Sequence, residues 1–146
     1  MGLDMYLNAK RFLWFKEEEL AEAIAAHFPE LKDRRVKQVE VEAIYWRKAN
    51  AIHKWFVDNV QAGVDDCGNY YVSREQLAEL RDTCRRVLDF RHLAIGQLPP
   101  QEGFFFGSTD VNEFYFQDLE TTAAKIDSVL QDFPAEGWEF EYHSSW

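Results

Sequence analysis

Apolar and polar side chains alternate in two segments, one near each end of the chain, and this period of two is typical of a half-buried β-strand. Residues 3–7 alternate Leu, Met and Leu with Asp and Tyr, and residues 138–143 alternate Trp, Phe and Tyr with Glu and His. Both segments are therefore predicted to be strands with one buried face and one solvated face. Shorter strands are predicted at residues 70–72 and 104–106, which are rich in aromatic residues.

Helical spacing of apolar residues predicts two helices in the first half of the chain. The first covers residues 17–28, with acidic residues in its first turn and Pro29 after its end. Residues 36–43 alternate like a strand, whereas residues 44–60 have the period of a helix. We therefore place a change from strand to helix near Glu42.

Two further helices are predicted in the second half. Ser73 and Gln76 have the spacing of a capping box, so a helix is expected from there through about Leu88. The last helix begins within residues 110–118 and ends near Phe133. Short strands interspersed with four helices indicate an α+β fold, with a small sheet flanked by helices.

Length and composition indicate one folded domain over residues 1–146. Hydrophobic residues make up 47% of the chain and aromatic residues 16%, which is far from the composition of disordered proteins. The formal net charge is -10, and this charge repels a phosphate backbone, so direct nucleic-acid binding is not expected. A homodimer is compatible with the high aromatic content.

Several classes of protein are not indicated by the sequence. Cys67 and Cys84 form no CxxC motif and have no paired His, so no zinc or redox site is predicted, and neither a metal nor a cofactor is expected. The chain shows neither a signal peptide pattern nor an apolar stretch long enough to span a membrane. A cytoplasmic protein without membrane contact is the expectation.

The segment 45–56 is the richest source of candidate chemistry, because it combines large aromatic rings, cations, an amide and an imidazole. On the predicted helix, Asn50 and His53 lie beside Trp46 on the inward side. Rings next to cations can bind a nucleotide base and its phosphate, although such residues can equally form a solvated helix face. The candidate ligand-binding residues are Trp46, Arg47, Asn50, His53, Lys54, Trp55, Ser108, Thr109 and Trp146.

The individual candidates leave alternatives open. His53 is a structural residue, a ligand contact or a general base, and no Ser, Cys or carboxylate is placed by sequence to complete a catalytic set with it. No catalytic residue is therefore assigned. Ser108 and Thr109 could cradle an anion, or one of Ser108, Thr109 and Asp110 could cap the following helix.

Four blocks together resemble a known group of proteins. They are MGLDMYL at residues 1–7, YWRKANAIHKWF at residues 45–56, FFFGST at residues 104–109 and SSW at residues 144–146. The combination is similar to a family of small bacteriophage and prophage proteins, whose members often carry a phosphoglycerate kinase label. Nothing in this chain resembles that much longer two-domain enzyme. The resemblance implies a phage accessory protein that acts in the cytoplasm of a bacterial host, and it supplies no catalytic residue.

Two functions of different classes follow as expectations. The first is a protein that binds, and sequesters, a small anionic or nucleotide-like ligand to counter host defence. The alternative is an acidic inhibitor that binds a host protein or imitates nucleic acid, because acidic residues are dense at residues 17–19 and 136–141. A small enzyme that uses His53 is the third possibility.

Overall fold

An antiparallel sheet of four strands is the frame on which the helices are placed, as described by a computed structural model for residues 2–146. The elements in chain order are β1 (Asp4–Phe12), α1 (Glu18–Ala25), β2 (Gln38–Arg47), α2 (Asn50–Asn59), β3 (Asn69–Val72), α3 (Arg74–Asp89), α4 (Ala94–Gln97), α5 (Glu113–Asp132) and β4 (Trp138–Ser145). The strand order is β2-β1-β4-β3, so β4 lies between β1 and β3. The α+β fold predicted from the sequence is confirmed.

The alternation of side chains decides which face of the sheet is buried. Met5, Leu7 and Ala9 of β1 are fully buried, and Phe140 and Tyr142 of β4, on the same face, are at most 2% exposed. Successive side chains of a strand point to opposite faces, so the residues between them lie on the other, wetter face. The strands predicted at both ends of the chain are confirmed with this orientation.

The helices pack on the buried face. The Trp46 indole on β2 donates a hydrogen bond of 2.9 Å to the Thr122 hydroxyl on α5. Phe56 of α2 stacks on Tyr142 of β4 with ring centroids 3.9 Å apart and an interplanar angle of 8°. Helix α3 packs against α5. The core is therefore a layer of rings and aliphatic side chains between the sheet and α2, α3 and α5.

The predicted change from strand to helix near Glu42 is wrong. Strand β2 continues through Arg47, and α2 begins at Asn50. Met5 pairs with Trp46 in the sheet, and this pairing favours the strand over the helical pattern of the same residues. The candidates Trp46 and Arg47 therefore lie on a strand, on opposite faces of the sheet, and not on one helix face.

The strand predicted at residues 104–106 is also not formed. These residues make a turn, in which the Phe106 N–H donates to the Gly103 carbonyl over 3.0 Å. A single backbone bond of 3.0 Å from Leu3 to the Phe105 carbonyl ties the turn to the sheet. Of these rings, Phe106 is 5% exposed and packs against His53 and Trp146, whereas Phe104 is 95% exposed.

Helix boundaries agree with the sequence where a cap defines them. The capping box is confirmed, since the Gln76 N–H donates to the Ser73 hydroxyl over 3.0 Å. Helix α1 is shorter than predicted, and a separate 3-10 turn begins at Pro29. Within residues 2–146, five α-helices form where four were predicted, and the additional one is the short α4.

Among residues 2–146, no helix combines the length and the apolar composition needed to cross a bilayer.

Candidate ligand-binding cleft

A cleft of about 240 Å³ opens where the β2–α2 junction meets the loop after Phe106 and the first turns of α5. Two of the sequence blocks singled out above meet here, although they are far apart along the chain. The side chains that matter for the argument are those of Lys48, Asn50, Ser108, Asn112, Phe114 and Asp118.

Asn50 holds the loop at one side of the cleft in place through hydrogen bonds. Its side-chain N–H2 group donates to the Phe106 carbonyl over 2.9 Å and to the Ser108 carbonyl over 2.8 Å. Its carbonyl oxygen accepts a hydrogen bond of 3.2 Å from the Gln101 N–H. Asn50 is only 5% exposed, so its three polar contacts are used to hold the loop against α2. Asn50 thus positions Ser108 at the cleft.

Lys48 stands at the cleft in a strained backbone conformation. Its φ is +56°, in the left-handed region that side chains with a Cβ rarely adopt, at a cost of about 1 kcal/mol. Gly107 has a φ of +81°, and a Cβ there would lie 3.4 Å from the Lys48 Cδ. A Cβ at that distance is in ordinary contact, so glycine is favoured here by its left-handed φ and not by a lack of space. Within residues 2–146, the Lys48 ammonium makes neither a hydrogen bond nor an ion pair.

Asp118 supplies the opposite charge. It is half-buried on α5, and this burial raises the pKa of its carboxyl to about 6, against the smaller opposing effect of Lys125. No side chain in the described part of the chain forms a hydrogen bond or an ion pair with the Asp118 carboxylate. Lys48 and Asp118 thus line one cleft without neutralising each other.

An exposed ring and a helix cap complete the cleft. Phe114 is 76% exposed, although it lies on a helix whose other rings are buried. Asn112 caps α5, because its side-chain oxygen accepts from the N–H groups of Phe114 over 3.1 Å and Tyr115 over 3.2 Å. The expectation that Ser108, Thr109 or Asp110 would cap this helix is therefore wrong.

His53 lies in the core and not in the cleft. Its ring is fully buried, with Nδ1 at 2.7 Å from the Tyr142 hydroxyl and Nε2 at 3.0 Å from the Asp65 carboxylate. Because a carboxylate only accepts, Nε2 carries the proton and Nδ1 accepts from Tyr142. Burial lowers the pKa of His53, against the opposing effect of Asp65, so the ring is held neutral. Gln101 donates to the other Asp65 oxygen over 2.7 Å and closes the network.

The remaining candidates are distributed over the molecule. Trp46 and Trp55 are 5% and 6% exposed and belong to the core. Arg47 lies on the opposite face of the sheet, where its guanidinium contacts the Asp4 carboxylate over 2.7 Å and 3.0 Å. Lys54 pairs with an acid one turn further along α2 over 3.0 Å.

The loop and the last residue are partly accessible. Ser108 and Thr109 are exposed, and the Ser108 hydroxyl accepts from the Asp110 N–H over 3.1 Å. Trp146 is 45% exposed and packs edge-on against Phe106 at 5.9 Å. The structure thus brings Asn50 and Ser108 to the cleft, and the nine candidates do not line one cavity. Their role as ligand contacts stays a prediction.

Lys48, Phe114 and Asp118 are the cleft residues that the sequence argument missed. Lys48 lies in the segment 45–56 but was not among the candidate ligand-binding residues, and the helix predicted there begins only at Asn50. Gly107 is a local signal for the loop at this cleft, because glycine readily adopts the left-handed backbone conformation that the loop has beside Lys48. Asp118 is one acid among many on α5 and carries no local signal.

Within residues 2–146, no group of three or more His, Cys, Asp or Glu side chains is placed to hold a metal ion. No protein-family model, no curated protein and no solved structure matches this chain.

Proposed function

We propose that this chain is a ligand-binding protein that holds a small molecule with an anionic group at one end and an N–H donor at the other. One observation carries the proposal. Lys48 and Asp118 line the same cleft, and neither the ammonium nor the carboxylate has a hydrogen-bond or ion-pair partner in the part of the chain that the structure describes. A cation and a carboxylate in one cleft complement a ligand that carries an anionic group at one end and an N–H donor at the other.

A nucleoside monophosphate with an amino-substituted base has this chemistry. Lys48 would bind the phosphate, Asp118 would accept from the amino group of the base, and the exposed ring of Phe114 offers a stacking surface. Asp110 also lines the cleft, so two carboxylates repel additional negative charge. The cleft therefore favours a single phosphate over a polyphosphate. Among the nucleotide-like ligands predicted from the sequence, we propose the monophosphates.

Binding without turnover is the activity we propose. His53, the candidate general base, is fully buried and bonded at both ring nitrogens, which supports a structural role over an enzyme that uses it. The resemblance to bacteriophage proteins supports a cellular role in removing a host signalling molecule from the bacterial cytoplasm.

Calorimetric titration at low ionic strength tests the ligand class. AMP and CMP, which carry an amino group on the base, are expected to bind more tightly than IMP and UMP, which do not. Lys48→Met should weaken AMP binding about tenfold, because roughly one charge-assisted hydrogen bond to the phosphate is lost. The preference among the four bases should stay the same. Asp118→Asn should reduce the preference for AMP over IMP.

Lys54→Met is the matched control, because Lys54 is paired with Asp58 outside the cleft. It should bind AMP like the unchanged protein. Absence of heat with all four nucleotides, or equal AMP affinity of the Lys48→Met and unchanged proteins, would contradict the proposal.

A further inference from the structure

The sheet has a second face, opposite the helices, which we call the outer face. On β1 and β4 its residues alternate with the fully buried Met5, Leu7 and Tyr142. Across the strands, Tyr6 pairs with both Tyr45 and His143, and Glu141 pairs with both Asn8 and Tyr71. The helices α2 and α5 contact the buried face, as the contacts of Phe56 and Thr122 show. The outer face therefore meets the solvent.

Carboxylates dominate the charge of the outer face. The five acids are Asp4, Glu40, Glu42, Glu139 and Glu141, and the two cations are Lys10 and Arg47. Both cations are already paired, Lys10 with Glu141 over 2.7 Å and Arg47 with Asp4 over 2.7 Å. In the described chain, Glu42 and Glu139 have no ion-pair partner and are exposed.

Aromatic rings lie among these acids. Tyr6 packs at 5.4 Å from Tyr45 and stacks at 5.9 Å on His143, which makes a row of rings across three strands. Tyr45 is 38% exposed and Tyr71, on the edge strand β3, is 64% exposed. Tyrosine is enriched in protein interfaces, and Glu42 and Glu139 add exposed charge to the same face of the sheet.

We infer that the outer face docks an arginine-rich segment of a partner protein. A guanidinium can stack on a tyrosine ring and at the same time form a two-pronged contact with a neighbouring carboxylate, whereas a lysine ammonium lacks the planar fork. The net charge of -10 attracts such a segment from a distance. The inference does not depend on the nucleotide cleft, which lies on the other side of the sheet.

The charge pattern argues against two other occupants. A second copy of this chain would place acids opposite acids, and like charges across an interface are unfavourable. A nucleic acid would meet the same repulsion through its phosphates. A basic protein segment is the occupant that the exposed Glu42 and Glu139 complement.

Fluorescence anisotropy with labelled oligo-arginine and oligo-lysine peptides tests this inference. Glu42→Gln with Glu139→Gln should weaken oligo-arginine binding about fivefold, since two exposed pairing partners are removed. The matched control is Glu18→Gln with Glu19→Gln, which removes two exposed acids from α1. The control should weaken binding by less than about twofold, because distant charges are screened by salt. Equal losses in the two variants would overturn the inference.

A ring substitution separates stacking from charge. Tyr71→Ser should lower the preference for oligo-arginine over oligo-lysine about threefold, the size of one exposed cation–ring contact. Phe104→Ser, which removes a ring that is 95% exposed and lies outside the sheet, should leave the preference unchanged. Equal binding of the two peptides to the unchanged protein would overturn the inference. So would analytical ultracentrifugation that showed a dimer dissociated by Tyr71→Ser.

Discussion

Lys48 and His53 lie on the same short segment of the chain, yet their environments are opposite. His53 is fully buried and is bonded at both ring nitrogens. Lys48 is exposed and strained in its backbone, and its ammonium has no hydrogen-bond or ion-pair partner in residues 2–146. Asn50 stands between them, buried like His53 but bonded to the loop that forms the cleft beside Lys48.

The difference shows that polar residues in one sequence block can have separate tasks. Buried polar groups with all their hydrogen bonds made contribute to a unique fold, and removing one partner leaves the other unsatisfied. Exposed and unpaired charges contribute little to stability and remain free to meet a ligand. Substitutions at the His53 end should therefore affect unfolding, and substitutions at the Lys48 end should affect binding.

The largest effect is expected for His53→Ala. The variant leaves the Tyr142 hydroxyl and one Asp65 oxygen without their ring partners and creates a cavity in the core. We expect a loss of about 3–4 kcal/mol in the free energy of unfolding, measured by urea denaturation. His92→Ala, at an exposed position, should change stability by less than about 0.5 kcal/mol. A loss below about 1 kcal/mol for His53→Ala would break the comparison.

A smaller, mixed effect is expected for Asn50→Ala. The carbonyls of Phe106 and Ser108 and the Gln101 N–H all lose a hydrogen-bond partner, which should cost about 2 kcal/mol of stability. The loop at the cleft is released as well, so AMP affinity should also fall. Asn59→Ala, at an exposed position on the same helix, serves as the control. Stability lost with AMP affinity intact would show that the loop does not shape the site.

The smallest effect is expected for Asp118→Asn, and it should have the opposite sign. Because burial raises the pKa of Asp118 to about 6, its ionised form destabilises the folded state above that pH. The variant should therefore be more stable by about 1 kcal/mol at neutral pH, a value reduced for solvent screening. This gain should shrink as the pH falls from about 6 towards the ordinary carboxyl value of 3.8, where the charge is lost in both states.

Thermal unfolding between pH 4 and pH 8 measures the difference, with Asp132→Asn on the same helix as the control. A stability gain together with weaker AMP binding would sharpen the comparison, since binding sites are often kept at the expense of stability. A gain that does not depend on pH would show that the charge of Asp118 is not its cause.

Local patterns were sufficient for part of the fold. The alternation in β1 and β4 and the capping box of α3 involve neighbouring residues, and each was recognised correctly. The end of β2 was predicted wrongly, because Tyr45 and Trp46 fit the pattern of a helix as well as that of a strand. Their pairing with Tyr6 and Met5 decides the matter, and that pairing is a long-range contact.

The candidate site was harder to predict for the same reason. Asn50 and Ser108 were recognised because they belong to unusual sequence blocks, and the structure places both at the cleft. Asp118 is brought there only by the packing of α5. The inward position of His53 was predicted from helical spacing, but its hydrogen-bond partners were not, since Asp65 lies on a loop 12 residues away and Tyr142 on a strand 89 residues away.

The position of β4 between β1 and β3 has a consequence for biosynthesis. β4 is translated after every other described strand, and it alone joins β3 to the pair formed by β1 and β2. While the ribosome is still adding Trp138–Ser145, the emerging polypeptide can form a hairpin and helices but cannot close its sheet. Closure of the sheet therefore waits until residues 138–145 have been synthesised, and β1 and β3 each keep an unpaired edge until then.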